Sequence, residues 1–294
     1  MTTRRPVPDW LAGLAPLAGD GLAGAGGVPV AGAVRAGAGP VGADVGADVG
    51  ACVRTGVGAG VGRAGAGVVG GGGAVGRGPK RHYVEIHPER IRGFVDLATH
   101  PWVDAVSRAV LGPDYKIVEI GFDVPNPGAV NQPWHRDFPA PPDTLVGRRL
   151  NSLAFNLTTI DVYEDMGPFE VAPGTQWDAP DGFEHEMFPP KSLYPRYEAR
   201  AQRKMPKMGD ISARSALTIH RGTENRSSKA RPALVLGVDA PGANNAERHD
   251  LQLTRAYYDA LPGSLREHLT CRVVERLEPI VQAHSIEGLM MGEA

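Results

Sequence analysis

From Tyr115 to Pro125 the chain reads YKIVEIGFDVP. Val118, Ile120 and Phe122 alternate with Glu119 and Asp123, the period-two pattern of a half-buried strand, and the proline ends it. The preceding residues have a different period. In HPERIRGFVDLATHP (87–101), Ile91, Phe94, Val95 and Ala98 are three or four apart, with Pro88 in a first turn. In PWVDAVSRAVLG, Trp102, Val103, Val106, Ala109 and Val110 repeat that spacing between Pro101 and Gly112. Two short amphipathic helices are expected there.

Beyond Pro125 strand patterns dominate. QPWHRDF (132–138) reads as a strand, as do LNSLAFNLTTID (150–161) and GPFEVAPGTQW (167–177), the last closed by Pro173-Gly174. GDISARSALTIHRG (209–222) holds one or two strands, and RPALVLGVDAP (231–241) another. The segment FPPKSLYPRYEARAQRKMP and the tail from Ala246 to Leu277 read as helical, with a break at Pro262-Gly263. Strands in the middle and helices at both ends give an all-β core with flanking helices, a double-sheet jelly roll of cupin-like type.

Composition changes this picture at the front. Residues 1–80 hold 24 of the 39 glycines, with alanine and valine making up much of the rest. Glycine has the largest backbone entropy to lose and no side chain to bury. This Gly/Ala-rich low-complexity segment is therefore expected to be disordered, or to be a stretch read out of frame, since GC-rich coding sequence read that way gives such a composition. Residues 81–294 form the foldable domain, long enough for one well-buried core. Pro16 and Asp20 interrupt the mildly apolar start, so no secretory signal is expected. No apolar run approaches the length of a membrane span. A net charge of −2 makes no electrostatic case for nucleic acid. Two distant cysteines, Cys52 and Cys271, give neither a zinc site nor a disulfide framework. A reducing, cytoplasmic compartment fits them.

Chemistry concentrates in three places. On a strand, His135 and Asp137 share a face, so an imidazole and a carboxylate can grip one divalent cation. Alone, a His-x-Asp pair is more often a hydrogen-bonded couple. His220 ends SALTIHRG, in which Ala216, Thr218 and His220 fall on one side by alternation. Two histidines and one carboxylate with open positions are the facial triad of non-haem Fe(II) oxygenases. Arg231 opens the next strand. If the two strands form a hairpin, it stands about 4.8 Å away from His220, and its planar fork suits a carboxylate.

QPWHRDF, EDMGPFEVAPGTQW and GDISARSALTIHRGTENRSSKARPAL together resemble the phytanoyl-CoA dioxygenase family of Fe(II)/2-oxoglutarate oxygenases, over about residues 83–240. The resemblance implies a double-stranded β-helix, iron on His135, Asp137 and His220, and 2-oxoglutarate anchored by Arg231. It implies oxidative decarboxylation of 2-oxoglutarate with O2, giving succinate and CO2, coupled to hydroxylation or desaturation of a small molecule. Members often carry Ser or Thr two residues after the distal histidine as a second carboxylate contact. Here that residue is Gly222, and Thr223 is the substitute candidate. Gln132, Phe155 and Asn225 are weaker candidates for the site. Related halogenases lack the carboxylate that Asp137 supplies. Nucleic-acid demethylases of this mechanistic class carry a second arginine six residues after the first, where this chain has Gly237.

Other clusters receive blander readings. His185 in FEHEMF is expected in a surface acid–histidine loop, within a possible lid over 178–207. Arg196, Arg200, Arg203, Lys204 and Lys207 are expected on a solvated face. The competing functional class is a cupin-type protein that holds a metal or ligand without turnover. Arg231 separates the two, because such a barrel has no need of it.

Overall fold

A computed structural model describes residues 52–54, 74–76 and 79–281. Most of the Gly/Ala-rich segment lies outside them. Two three-residue strands from it, β1 (Cys52–Arg54) and β2 (Ala74–Gly76), form the two edges of the larger sheet. Between them run β3 (Arg81–Glu85), β4 (Lys116–Pro125), β5 (Ser152–Thr158), β8 (Asp210–Ser215) and β10 (Ala233–Asp239). The order is β1-β8-β5-β10-β4-β3-β2, antiparallel throughout. A second antiparallel sheet, β7-β6-β9, is built from β6 (Phe169–Val171), β7 (Gln202–Lys204) and β9 (His220–Gly222). This is the double-sheet jelly roll that the patterning predicts.

Alternation divides the central strands into two faces. Phe155 and Leu157 on β5, Ile211 and Ala213 on β8, and Leu234, Leu236 and Val238 on β10 enter the main core. Their neighbours Ala154, Asn156, Ser212, Arg214, Ala233, Val235, Gly237 and Asp239 line a cavity on the other face. Each large apolar side chain buried this way stabilises the fold by about 1.5–3 kcal/mol. The expected phase of β4 fails at one point. Its pairing with β10 shifts between Gly237 and Val238, which face Glu119 and Ile117. This β-bulge leaves Val118 unpaired and turns Ile117, rather than Val118, into the core with Ile120 and Phe122.

The first helices pack on the core face. The first predicted helix is broken: a 3-10 turn spans Pro88–Arg90, Gly93 takes φ 91°, and only α1 (Phe94–Ala98) is α-helical. The left-handed conformation at Gly93 prevents one continuous helix. The second, α2 (Pro101–Leu111), matches its signals, with Pro101 at the first helical position and Gly112 as C-cap at φ 98°. Helix α3 (Pro142–Gly147) precedes β5. The proline-rich excursion yields a 3-10 turn, the short α4 (Tyr194–Glu198) and then β7, so it is less helical than expected. The tail is likewise mixed. Here β11 (Gln252–Thr254) pairs in parallel with β12 (Arg272–Val274), around α5 (Arg255–Ala260) and α6 (Gly263–Arg266). Thr254 ends the strand and caps α5 by accepting from the Tyr257 N–H at 3.3 Å.

Candidate active site

The segment carrying His135 is not a strand. It makes one isolated bridge, His135 to His220, in which each backbone N–H donates to the other's carbonyl at 3.0 and 2.8 Å. Asp137 N–H then donates to the Ala216 carbonyl at 3.0 Å. The stretch 216–219 is likewise a turn between β8 and β9, not a continued alternating strand. The three predicted side chains nevertheless converge. Among the described residues, one ligand atom from each of His135, Asp137 and His220 lies within 4.8 Å of the others. His220 Nε2 is 3.3 Å from Asp137 Oδ1.

The donor set fits a single divalent ion. His135 Nδ1 is 2.8 Å from the Pro133 carbonyl, and His220 Nδ1 is 2.8 Å from the Thr218 carbonyl. A carbonyl can only accept, so each Nδ1 carries the proton and each Nε2 keeps its lone pair for a metal. Both rings are buried, with Phe188 stacked on His135 at 5.8 Å and Phe169 beside His220 at 5.0 Å. Burial lowers the His220 pKa, and Arg214 lowers it further, which favours the neutral, ligating form. For Asp137 burial works the other way, but Arg214 and His220 outweigh it and hold the carboxyl well below the usual carboxylate range. Arg214 Nη1 donates to Asp137 Oδ2 at 2.6 Å, leaving Oδ1 toward the histidines. Arg214 was not anticipated from the sequence, although it lies six residues before His220 and so shares its parity on an ideal strand.

Arg231 lines the same cavity, of about 520 Å³. The expected hairpin with His220 does not form. His220 belongs to β9 in the small sheet, whereas Arg231 leads into β10 at the centre of the large one. The two sheets bring them to one cavity from opposite walls. Arg231 is buried, and its Nη2 donates to Asp123 Oδ2 at 3.4 Å. Arg81 reaches the same oxygen from β3 at 3.1 Å and donates through Nη2 to the Thr223 carbonyl at 3.0 Å. Two guanidiniums thus share one carboxylate, which leaves net positive charge beside the cavity. The Arg81 guanidinium fills the space over Gly222, where an added Cβ would lie 2.6 Å from Cζ. That is why a side chain at 222 cannot be accommodated unless Arg81 moves.

The substitute candidate Thr223 is not brought to the cavity. Its hydroxyl donates to the Pro168 carbonyl at 2.6 Å, which turns it away. Phe155 also faces the wrong side, packing edge-on against Trp102 at 5.7 Å in the main core. Asn225 ties a turn together by donating to the carbonyls of Pro125 and Lys229. Gln132 does line the cavity, and its Oε1 accepts from the Gly222 N–H at 2.9 Å. Arg136 borders the cavity but points its guanidinium away from His135 and Asp137, donating to the Asp178 carbonyl and lying 5.1 Å over the Phe183 ring. His185, Met187 and Phe188 form part of the cavity wall, so the FEHEMF loop belongs to the site's cover and not only to the surface. Of the basic run, Arg196 and Arg203 pair with Asp178 and Glu170, while Lys204 lines the cavity. No helix among the described residues is long and apolar enough to cross a membrane.

A comparison with curated proteins finds no match. Solved structures that resemble the chain include the non-haem α-ketoglutarate-dependent carbocyclase SnoK from nogalamycin biosynthesis. It shares 19% identity with a TM-score of 0.45, over 60% of this chain and 72% of SnoK. EctD from S. alaskensis, solved with 2-oxoglutarate and 5-hydroxyectoine, shares 15% identity with a TM-score of 0.43, over 55% of this chain and 56% of EctD. The epimerase SnoN, solved with Fe3+, α-ketoglutarate and nogalamycin RO, shares 18% with a TM-score of 0.44, over 57% and 68%. These likenesses are distant, and the assignment stands on the family model. The model for phytanoyl-CoA dioxygenase matches residues 75–233, more than half of the chain. The chain therefore belongs to the phytanoyl-CoA dioxygenase family, and it is a 2-oxoglutarate-dependent, non-haem iron oxygenase.

Proposed function

We propose that Nε2 of His135, Nε2 of His220 and Oδ1 of Asp137 hold Fe(II), and that the enzyme hydroxylates an unactivated C–H bond of a small molecule. Arg231, with Arg81 beside it, takes the distal carboxylate of 2-oxoglutarate. The convergence of two neutral imidazoles and one ionised carboxylate within 4.8 Å supports this reading. Three protein ligands leave positions open for cosubstrate and O2. Bound iron with 2-oxoglutarate supplies the oxidation itself, releasing succinate and CO2.

The remaining work belongs to the chain. The two carbonyls hold the imidazole protons at Nδ1 and fix both rings. Arg214 keeps Asp137 ionised and aimed. Phe169 and Phe188 shield the histidines from water. The paired guanidiniums, with Asp123 offsetting one charge, prefer a guest of a single negative charge at that end. The test is succinate formation by purified protein with Fe(II), 2-oxoglutarate and ascorbate, with O2 consumed in step. The absence of succinate, together with an unmoved melting temperature on adding Fe(II) and 2-oxoglutarate, would falsify the reading.

A further inference from the structure

The cavity extends beyond the metal ligands and Arg231. Strands β8, β5, β10 and β4 lie side by side, and Arg214, Ala154, Gly237 and Glu119 form one cross-strand row. Three strand spacings put the backbone of Glu119 about 14 Å from that of Arg214. Both side chains lean inward. Arg214 reaches Asp137, and the Glu119 carboxylate lies across Gly237, where an added Cβ would meet Oε2 at 2.6 Å. The floor between them is alanine and glycine, and the remaining span is roughly 10 Å, two strand spacings.

The carboxylates that line this cavity are partnered unequally. Asp137 has Arg214, and Asp123 has both Arg231 and Arg81. Asp239 accepts from the Asn245 backbone and side chain, one bond on each oxygen. Glu119 accepts from the Tyr83 hydroxyl on Oε1. Its Oε2 forms an ion pair with His249 Nε2 at 3.7 Å, too long for a hydrogen bond, and His249 Nδ1 is 2.8 Å from Glu85. The guanidinium of Arg248, which also borders the cavity, lies 5.7 Å over the Phe138 ring. So Glu119 Oε2 is an acceptor without a hydrogen bond. The Tyr83 hydroxyl holds the carboxyl at Oε1, and Oε2 lies over Gly237 on the cavity wall.

We propose that Glu119 is the substrate anchor, and that it takes an ammonium group of the substrate while the carbon to be oxidised lies toward the metal ligands. This assignment rests on the oxygenase reading above and adds a substrate class to it. An ammonium supplies the N–H donors that Oε2 lacks, and its charge adds to that of His249 in offsetting a carboxylate above an alanine and glycine floor. Tyr83 fixes the rotamer, and Gly237 provides the room.

The probe is n-butylamine, with 1-butanol as its uncharged match. Each is titrated by calorimetry into Ni(II)- and 2-oxoglutarate-loaded protein, and separately into the metal-free protein. Wild type is expected to bind the ammonium at least about tenfold more tightly than the alcohol. Glu119→Gln removes the preference, and Gly237→Ala, which displaces Oε2, removes it independently; circular dichroism verifies that each variant is folded. Equal binding of the two probes by wild type, no binding of the ammonium, or a preference that survives in folded Glu119→Gln overturns the assignment. Failure of 2-oxoglutarate to bind the Ni(II)-loaded wild type would instead count against the oxygenase site, and the metal-free titration separates the two outcomes.

Discussion

Replacing Arg231 by methionine tests the proposed cosubstrate anchor, because the apolar stem is kept and only the charged fork is lost. Burial pulls the guanidinium pKa down from its ordinary value to about 10, with Asp123 working against that fall and Arg81 adding to it. At neutral pH the group is still charged. The displacement corresponds to about 3 kcal/mol held against the charged form, and a bound carboxylate relieves it. One charge-assisted hydrogen bond to that carboxylate contributes about 1.5–3 kcal/mol. Its loss should raise the half-saturating concentration of 2-oxoglutarate about 10- to 150-fold. Folding should be little affected, since Asp123 keeps Arg81 at 3.1 Å and the variant no longer buries a second cation. The assay is succinate formation against 2-oxoglutarate concentration, with thermal denaturation in parallel. Half-saturation within about twofold of wild type, with the fold intact, would refute the role of Arg231.

Three other outcomes are expected. His135→Ala and Asp137→Ala should each abolish turnover and weaken Ni(II) binding, read by calorimetry, because two ligands cannot replace the set of three. Gly222→Ala should raise the 2-oxoglutarate requirement without changing metal affinity, because its Cβ displaces the Arg81 guanidinium. Burial pulls the His249 pKa down, but Glu119, Glu85 and Asp239 more than offset this, so it stands above 6.5. The stability it contributes is therefore complete below pH 6.5 and is lost as pH rises through the raised value. Melting temperatures measured across that window should fall for wild type and stay flatter for His249→Gln; parallel curves would contradict the pairing.

The sequence carried much of this through local rules. Alternation in β5, β8 and β10 assigns core and cavity faces, because a strand's two faces are fixed by parity. The convergence of His135, Asp137 and His220 was also legible, but for a partly wrong reason. His135 and Asp137 sit on an irregular segment and His220 at the start of β9, so one backbone bridge aligns them where alternation was expected to. Features that depend on several distant strands were not legible. The bulge in β4 comes from its mismatch with β10, and nothing in YKIVEIGFDVP announces it. Arg81 acquires its role only when β3 lies against β4 and reaches over Gly222. Thr223 lies outside the cavity lining, because adjacency in sequence does not fix which way a side chain turns just after a three-residue strand.

The glycine at 222 and the arginine at 81 cannot vary independently. A serine at 222 needs the volume that the guanidinium occupies, and a smaller residue at 81 would leave a hole over a bare backbone. Either change alone is expected to be worse than both together, so a double-mutant cycle on Arg81→Ala and Gly222→Ser should show strong positive coupling. Exchange between an arginine-type and a hydroxyl-type anchor would then have to pass through a handicapped intermediate. The same holds wherever a glycine on this sheet makes room for a neighbour's charge. Grafting single residues from a relative into this cavity is thus expected to fail where grafting matched pairs succeeds.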